Sequence, residues 1–286
     1  MSPDLRAELR TLLPPDKVNL VTKSFDIYGS KQKAVAVVEI PDELRDVEQE
    51  IGKALMRVNK NVSSVIAKES ARTGDYRIRE LRLIAGDPDT EVLHRESGCV
   101  FRLDPGTVYF SPRESRERDR LAEAVGDGEE TLVMFSGVGP LPIRIGKRRP
   151  TVRVTAVELN PAAHNYCVEN IHLNRVSDRI QAIEGDVREV CPGLGRTYDR
   201  VMMPLPRGAY KFLDVAVPLV KDGGVVHLYH WSSQEDAFTE AEKLIAEAAS
   251  EYGRSAEFLD RIRVSQYSPG TWKVRVDARL STIRSA

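Results

Sequence analysis

One segment of the chain constrains the fold more than any other: a buried apolar strand that runs directly into a turn with two glycines. Residues 131–140 read Thr-Leu-Val-Met-Phe-Ser-Gly-Val-Gly-Pro, and residues 154–161 form a second apolar strand with Glu158 near its end. Glycines at 137 and 139 let the backbone turn tightly and approach a ligand. A carboxylate after the next strand can accept hydrogen bonds from both hydroxyls of a ribose. The spacing fits one βαβ unit, whereas the glycine pair alone also fits a purely structural turn.

Two further predicted strands end in residues that suit the same role. Residues 180–187 end in Gly-Asp-Val, and residues 198–206 run into Pro-Leu-Pro. Because ligands of open α/β sheets bind outside the carboxyl ends of the strands, we expect these ends to form one site. The series is typical of the class I S-adenosylmethionine-dependent methyltransferase fold, an α/β Rossmann-like sheet that is mostly parallel with an antiparallel closing hairpin. The predicted cofactor-binding residues are Phe135, Gly137, Gly139, Glu158, Leu159, Asp186, Val187 and Pro204.

Composition limits the class of protein. The 286 residues are 41% hydrophobic and 30% charged, which suits one large or two medium globular domains. No apolar run approaches the roughly 20 residues of a membrane-spanning helix, and the N-terminus lacks the apolar segment of a secretory signal. Cys99, Cys167 and Cys191 show no C-x-x-C spacing, so neither a disulfide framework nor a zinc site is indicated. We therefore expect a cytoplasmic protein.

The pattern of apolar residues predicts three regions. They are an N-terminal extension over 1–17, a small α+β domain over 18–111 and a Rossmann-like methyltransferase domain over 112–286. In the small domain we expect a hairpin within 18–40, a helix through about residue 58, and strands near 62–67, 81–85, 91–95, 99–103 and 108–110. A charged helix over 112–125 should lead into the second domain, which ends in two strands over 261–266 and 272–279 joined as a hairpin.

Basic residues concentrate in two short segments, although the formal net charge is −1. The first contains Arg72, Arg77, Arg79 and Arg82. The second contains Arg144, Lys147, Arg148, Arg149 and Arg153. Such patches allow a nearly neutral protein to hold a polyanion. The alternative is that both are ordinary solvated surface loops.

Several motifs together resemble one family. They are Ser24-Phe25-Asp26 with Gly29, Val38-Glu39-Ile40-Pro41, Gly74-Asp75-Tyr76-Arg77-Ile78-Arg79, Glu96-Ser97-Gly98-Cys99-Val100-Phe101, Tyr109-Phe110-Ser111-Pro112-Arg113 with Glu117-Arg118, and the Phe-Ser-Gly-Val-Gly-Pro turn. The pattern runs from about residue 18 to 280 and is similar to the archaeal and eukaryotic tRNA (guanine-37-N1)-methyltransferases. The resemblance implies methyl transfer from S-adenosylmethionine to N1 of the guanosine beside the anticodon, by an enzyme active as a monomer.

The resemblance also implies roles for particular residues. N1 of guanine carries a proton at neutral pH, so a base must remove it as the nitrogen attacks the methyl group. Similarity points to a glutamate just ahead of the glycine-turn strand, Glu129 or Glu130, with Glu129 preferred; the alternative is an ordinary acidic loop. Arg113 would face O6 of guanine, where negative charge develops, or else would be a surface arginine paired with Glu117. The residues expected to contact the anticodon loop and stem of tRNA are Arg77, Arg79, Arg118, Arg148, Arg149 and Pro206.

Three departures from the family pattern keep other functions open. The chain begins too close to Ser24 to hold the additional N-terminal domain that family members often carry. Val133 stands where the family commonly has an aspartate, and Pro204 stands where it has the asparagine of Asn-Leu-Pro. The alternatives are transfer of the 3-amino-3-carboxypropyl group of the same cofactor in wybutosine biosynthesis, and a non-catalytic tRNA-binding protein that retains the cofactor fold.

Overall fold

The computed structural model describes residues 5–22, 24–70, 80–205, 207–233, 237–268 and 270–283. The chain divides into two compact units, residues 1–113 and residues 114–286. The segment predicted as an N-terminal extension contributes to the first unit, because Leu5, Leu9 and Leu13 are buried in its core. The division between the units lies two residues beyond the predicted start of the second domain at residue 112.

The first unit is built around a four-stranded sheet with helices on it. Its helices are α1 (Leu5–Leu9), α2 (Pro15–Leu20) and α3 (Glu48–Val58), and a 3-10 helix over Asp42–Val47 precedes α3. Its sheet has the order β1 (Asp26–Gly29), β2 (Ala34–Val38), β3 (Val62–Lys68) and β4 (Leu81–Gly86). β2 and β3 run parallel, and the other neighbours are antiparallel. Ile51, Ala54 and Leu55 of α3 are buried at helical spacing, as the sequence predicts.

A separate antiparallel pair completes the first unit. It consists of β5 (Val92–Glu96) and β6 (Cys99–Leu103). The strand predicted over 108–110 is not formed. Phe110 is instead buried in a loop, where its ring contacts those of Tyr28, His94 and Phe101 and its carbonyl accepts a hydrogen bond of 3.2 Å from the Tyr28 hydroxyl. Burial of a loop thus produced the apolar pattern that the sequence analysis assigned to a strand.

The second unit is a seven-stranded sheet with helices between its strands. Its first elements are α4 (Ser115–Ala124), β7 (Glu130–Met134), α5 (Pro140–Arg148), β8 (Arg153–Glu158), α6 (Pro161–Leu173), β9 (Ile180–Glu184) and α7 (Val187–Val190). The remaining elements are β10 (Tyr198–Met203), α8 (Leu213–Leu219), β11 (Val220–Ser233), α9 (Thr239–Glu251), β12 (Arg254–Ser268) and β13 (Thr271–Thr282). Strands β7 to β11 are parallel, and β13 lies antiparallel between β11 and β12. The predicted mostly parallel sheet and its antiparallel closing hairpin are therefore confirmed.

The strand order is β12-β13-β11-β10-β7-β8-β9, so the chain adds β8 and β9 on one side of β7 and then β10 on the other side. This change of side creates a crevice at the carboxyl ends of the parallel strands. We call this end of the sheet the carboxyl edge. Met134 pairs with Val157, and Met203 pairs with Leu228. The residues that follow these four on their strands, Phe135, Glu158, Pro204 and Tyr229, therefore reach the carboxyl edge together. Among the helices of the described residues, none is long and apolar enough to cross a membrane.

Candidate active site

The glycine turn has a backbone that depends on its glycines. Phe135, Gly137 and Gly139 have φ values of 59°, 57° and 84°, so the chain stays in the left-handed region through most of the turn. Gly139 is the N-cap of α5, and Pro140 begins that helix. A Cβ on Gly139 would lie 2.7 Å from Sγ of Cys167. Both the positive φ and this close approach require glycine at position 139.

Glu158 is held against the turn by backbone donors. The Gly137 N–H donates to Oε2 at 2.7 Å, and the Asn160 N–H donates to Oε1 at 2.9 Å. Burial raises the pKa of Glu158 above its usual value, and the backbone hydrogen bonds from Asn160, Gly137 and Leu159 oppose that rise. The two carboxylate oxygens together offer about four lone-pair sites, more than these backbone donors occupy. The carboxylate is therefore positioned to accept the two hydroxyls of a ribose.

The neighbouring strand ends complete a nucleoside-sized site. The Gly185 N–H donates to the Glu158 carbonyl at 2.9 Å, which fixes the end of β9 beside the end of β8. Asp186 caps α7 by accepting the Arg188 N–H at 2.8 Å, and Val187 behind it is buried. Pro204 directly follows β10. The structure thus gathers the predicted cofactor-binding residues at the carboxyl edge, and the positive-φ turn and the carboxylate fit an adenosine-containing cofactor.

An additional carboxylate lies at this edge, on α4. Glu117 is 6% exposed, and its Oε1 accepts hydrogen bonds from the Tyr229 hydroxyl at 2.7 Å and from Nη1 of Arg275. Its Oε2 accepts a bond of 2.8 Å from Nη1 of Arg120. Tyr229 lies in the row of Glu158, so its contact brings Glu117 to the cofactor end of the sheet. In the sequence, Glu117 stands out only through the motif after Tyr109 and as a possible partner of Arg113, and neither pattern indicates a catalytic role.

Comparison with known proteins agrees with this architecture. The family model of the TRM5/TYW2 methyltransferase domain matches residues 92–257, and that of the TYW2 N-terminal domain matches residues 5–90. The chain belongs to the TRM5/TYW2 methyltransferase family. The family resemblance and the fold class that the sequence indicated are confirmed by these matches.

Relatives of two activities resemble this TRM5/TYW2 protein over most of its length. It is 39% identical over 274 residues to the tRNA (guanine(37)-N(1))-methyltransferase Trm5b of Pyrococcus abyssi, a match covering 96% of this chain and 77% of the relative. It is 30% identical over 283 residues to the tRNA(Phe) (4-demethylwyosine(37)-C(7)) aminocarboxypropyltransferase of Pyrococcus horikoshii, covering 98% of this chain and 97% of the relative.

Solved structures of the TRM5/TYW2 family share the fold. The crystal structure of Trm5b from Pyrococcus abyssi matches with a TM-score of 0.87 and 37% identity, covering 98% of this chain and 82% of that one. A complex of aTrm5 with tRNALeu matches with a TM-score of 0.83 and 31% identity, covering 98% and 78%. The structure of Pyrococcus horikoshii TYW2 with MeSAdo matches with a TM-score of 0.81 and 28% identity, covering 98% and 99%.

Glu129 and Glu130, the predicted bases, lie at the opposite end of β7 from the glycine turn. Glu129 forms a two-point ion pair with Arg200, at 2.6 Å and 3.3 Å. Glu130 begins β7, and its carboxylate lies 3.8 Å from Nζ of Lys221. A strand advances about 3.3 Å per residue, so the five residues of β7 carry Glu130 about 16 Å away from Phe135. This placement counts against their predicted role as the base, because both glutamates are close to the turn along the chain but far from it in space.

Arg113 is the last residue of the first unit, and its side chain pairs with residues of that unit and not with Glu117. Its Nε lies 2.5 Å from Oδ1 of Asp26, and its Nη2 donates to Oγ of Ser24 at 2.8 Å. These partners belong to the Ser24-Phe25-Asp26 motif, so two of the motifs that carry the family resemblance are in contact. The Arg113 side chain is 58% exposed. Its contact with O6 of guanine stays a prediction.

The residues predicted to bind RNA have different surroundings. Arg77, Arg79 and Pro206 lie outside the described residues. Arg118 is buried in α4, at 7% exposure, and does not present a free surface charge. Arg148 pairs with Glu123 at 2.8 Å, and Arg149 donates to the carbonyls of Val125 and Glu123. Because α5 starts at the carboxyl edge, Arg148 and Arg149 at its other end lie away from that edge. Their tRNA contact stays a prediction.

Proposed function

We propose that this protein transfers a methyl group from S-adenosylmethionine to N1 of guanosine 37 in tRNA, as a monomer in the cytoplasm. The observation that carries the proposal is the 39% identity to Trm5b of Pyrococcus abyssi, which extends over 96% of the chain. The glycine turn and Glu158 supply the cofactor site that such a reaction needs.

The residues of the carboxyl edge divide the work of this reaction. When bound, S-adenosylmethionine supplies a methyl group on a positively charged sulfur. Gly137 and Gly139 would let the protein backbone approach the cofactor, Glu158 would hold its ribose, and Asp186 would hold its adenine. The guanine N1 nitrogen forms a bond to the methyl carbon as the carbon–sulfur bond breaks, and the N1 proton must leave to a base.

Glu117 is the carboxylate that we assign as that base. Its Oε1 is occupied by Tyr229 and Arg275, whereas its Oε2 contacts Arg120, whose side chain is 49% exposed. Arg120 holds Oε2 from a side chain that solvent reaches, whereas both donors to Oε1 are buried. Oε2 is therefore the oxygen that can accept a proton from the substrate. Arg113 remains our proposed partner of guanine O6.

Nucleoside mass spectrometry of tRNA treated with the protein and S-adenosylmethionine tests the function. The proposal expects one added methyl group at guanosine 37 and none in tRNA that carries another nucleoside at that position. Absence of any product, together with no heat of S-adenosylmethionine binding in calorimetry, would leave the non-catalytic tRNA-binding alternative.

A second candidate function is aminocarboxypropyl transfer. It is favoured by the match of residues 5–90 to the TYW2 N-terminal domain and by the 30% identity to the Pyrococcus horikoshii aminocarboxypropyltransferase. The same assay on tRNA containing 4-demethylwyosine separates the two candidates. Addition of the heavier aminocarboxypropyl group, without methylation of unmodified guanosine, would replace the methyltransferase proposal.

The contribution of Arg148 to tRNA binding can be separated from that of Arg149. Arg148→Gln is expected to lower the slope of log affinity against log salt concentration by about one, because one phosphate contact and its counterion release are lost. Arg149→Gln should instead lower thermal stability, since Arg149 binds backbone carbonyls. Arg279→Gln, which removes an exposed arginine paired with Glu257, is the control. An unchanged salt slope in Arg148→Gln would identify the α5 arginines as ordinary surface.

A further inference from the structure

A continuous chain of polar side chains crosses one face of the second unit's sheet. It begins at Glu129, passes through Arg200, His227, Asp277 and Arg275, and ends at Glu117 and Tyr229. The successive contacts are Glu129 to Arg200 at 2.6 Å, Arg200 Nη1 to His227 Nε2 at 3.3 Å, and His227 Nδ1 to Asp277 Oδ1 at 2.7 Å. His227, Asp277, Arg275 and Tyr229 are all at most 3% exposed. Removing charged groups from water is costly, and pairing them often does no more than offset that cost. The arrangement therefore calls for an explanation beyond stability.

Strand register explains why the chain reaches the active site. His227 pairs with Asp277, and Tyr229 pairs with Arg275, on the antiparallel strands β11 and β13. Side chains two residues apart on a strand lie on the same face, so these four form a square beneath α4. The square begins at the row of Met202 and ends at the row of Pro204. It therefore extends from the middle of the sheet to the carboxyl edge.

Asp277 fixes the orientation of Arg275. Nε and Nη2 of Arg275 donate to the two oxygens of Asp277 at 2.8 Å and 3.1 Å. This two-point pairing uses one side of the planar guanidinium and leaves Nη1 directed at Oε1 of Glu117. The Tyr229 hydroxyl donates to the same oxygen at 2.7 Å. Arg275 and Tyr229 thus both hold Glu117 through Oε1, whereas Oε2 accepts its hydrogen bond from the half-exposed Arg120.

The pKa values of Asp277 and Tyr229 are both displaced away from neutrality. Burial raises the pKa of Asp277, but the charge and hydrogen bonds of His227 and Arg275 lower it by more than burial raises it. The pKa of Asp277 therefore lies below its usual value. Burial, followed by the negative charge of Glu117, raises the pKa of Tyr229 well above its usual value. Tyr229 consequently remains a hydrogen-bond donor to Glu117, and Asp277 remains an acceptor for Arg275, at any pH near neutrality.

We propose that Arg275, Asp277 and Tyr229 form a clamp that positions Glu117, holding Oε1 so that Oε2 faces the substrate nucleobase. The clamp rests on the proposed function, in which Glu117 accepts the N1 proton. Arg275 and Asp277 are positioning residues, because they act through Glu117 and not on the substrate. His227 and Arg200 continue the chain of contacts from the clamp to Glu129, which lies at the far end of that chain.

The clamp is tested by combining each substitution with Glu117→Gln. Tyr229→Phe and Asp277→Asn should each lower the single-turnover rate of methyl transfer by roughly 10- to 100-fold in the wild-type background, because small displacements of a catalytic group are costly. In the Glu117→Gln background the same substitutions should change the rate less than about twofold, since residues that act as a unit are not additive. S-adenosylmethionine affinity, measured by calorimetry, should stay within about twofold throughout, as no clamp residue is among the cofactor-binding set.

Two variants guard against a merely structural effect. Arg279→Met removes another arginine of β13, which is exposed and pairs with Glu257 outside the clamp, and should retain the full rate. Tyr229→Phe removes only one hydroxyl and preserves packing, so it keeps the test valid if an Arg275 or Asp277 variant fails to fold. Rate losses that remain as large in the Glu117→Gln background as in the wild type would overturn the clamp, as would a Tyr229→Phe rate equal to that of the wild type.

A urea-unfolding cycle tests the clamp without catalysis. Glu117→Gln, Arg275→Met and the double variant should show coupling, so that the double variant is destabilised by less than the two single variants combined. Additive effects would mean that the buried pair does not exist in solution and would overturn the clamp. If wild-type protein transfers no group to tRNA yet the cycle shows coupling, the proposed function has failed while the contact between Glu117 and Arg275 stands.

Discussion

Replacing Glu117 with glutamine is expected to lower the single-turnover rate of methyl transfer by roughly 10²–10⁴-fold, the usual contribution of a positioned general base. Glutamine keeps the shape of the side chain and an oxygen for Tyr229, but its amide does not take a proton from guanine N1. The affinity for S-adenosylmethionine should change little, because Glu117 lies outside the glycine turn and its Glu158 contact. Rapid-quench measurement of methylated guanosine, with both substrates saturating, isolates this step.

The comparison that decides the assignment uses Glu129, which precedes β7, and Glu130, which begins it. Glu130→Gln removes a charge about 16 Å from the row of the glycine turn, at 3.3 Å per residue, and should leave the rate near that of the wild type. Glu129→Gln loosens the far end of the chain of contacts that leads to the clamp, and it should lower the rate by less than Glu117→Gln does. If either substitution slowed transfer more than Glu117→Gln does, the proton acceptor would be the glutamate so replaced, and Glu117 would be a structural partner of Arg275.

The predicted cofactor-binding residues could be read from the sequence because they follow local patterns. Glu158 ends its strand, Gly137 and Asp186 lie just after theirs, and parallel pairing alone brings those strand ends together. Hydrophobic patterning identifies the strands, and the doubly wound topology then determines which ends meet. No contact between distant segments had to be known.

The proposed proton acceptor could not be predicted from local spacing, because its surroundings come from distant parts of the chain. Glu117 contacts Tyr229 from 112 residues away and Arg275 from 158 residues away. No local spacing reports such contacts. Glu129, predicted as the base, is close to the glycine turn along the chain but is separated from it in space by the length of β7. The antiparallel pairing of β11 with β13 also places His227 opposite Asp277, a contact that no local pattern in the sequence reports.

The second large effect is expected at Glu158, where alanine should weaken S-adenosylmethionine binding by about 10²-fold. Hydrogen bonds to a charged group contribute about 1.5–3 kcal/mol each, and about 1.4 kcal/mol corresponds to a tenfold change in affinity. Losing two ribose contacts accounts for the expected change. Alanine also leaves the N–H groups of Gly137 and Asn160 without their acceptor. Calorimetric titration with the cofactor measures the effect, and Glu184→Ala is the control because Glu184 pairs with Glu158 in register but is exposed.

The raised pKa of Glu158 gives this prediction a pH signature with two opposite signs. A carboxyl whose pKa is higher in the folded than in the unfolded protein adds stability below its ordinary value of 4.5, and that contribution is lost as the pH rises through the folded pKa. Free protein should therefore gain stability from this group on acidification, relative to Glu158→Gln. Cofactor binding should weaken over the same pH range, because only the ionised carboxylate accepts both ribose hydroxyls. Affinity that is independent of pH in the wild type, or equal in wild type and Glu158→Ala, would remove Glu158 from the cofactor site.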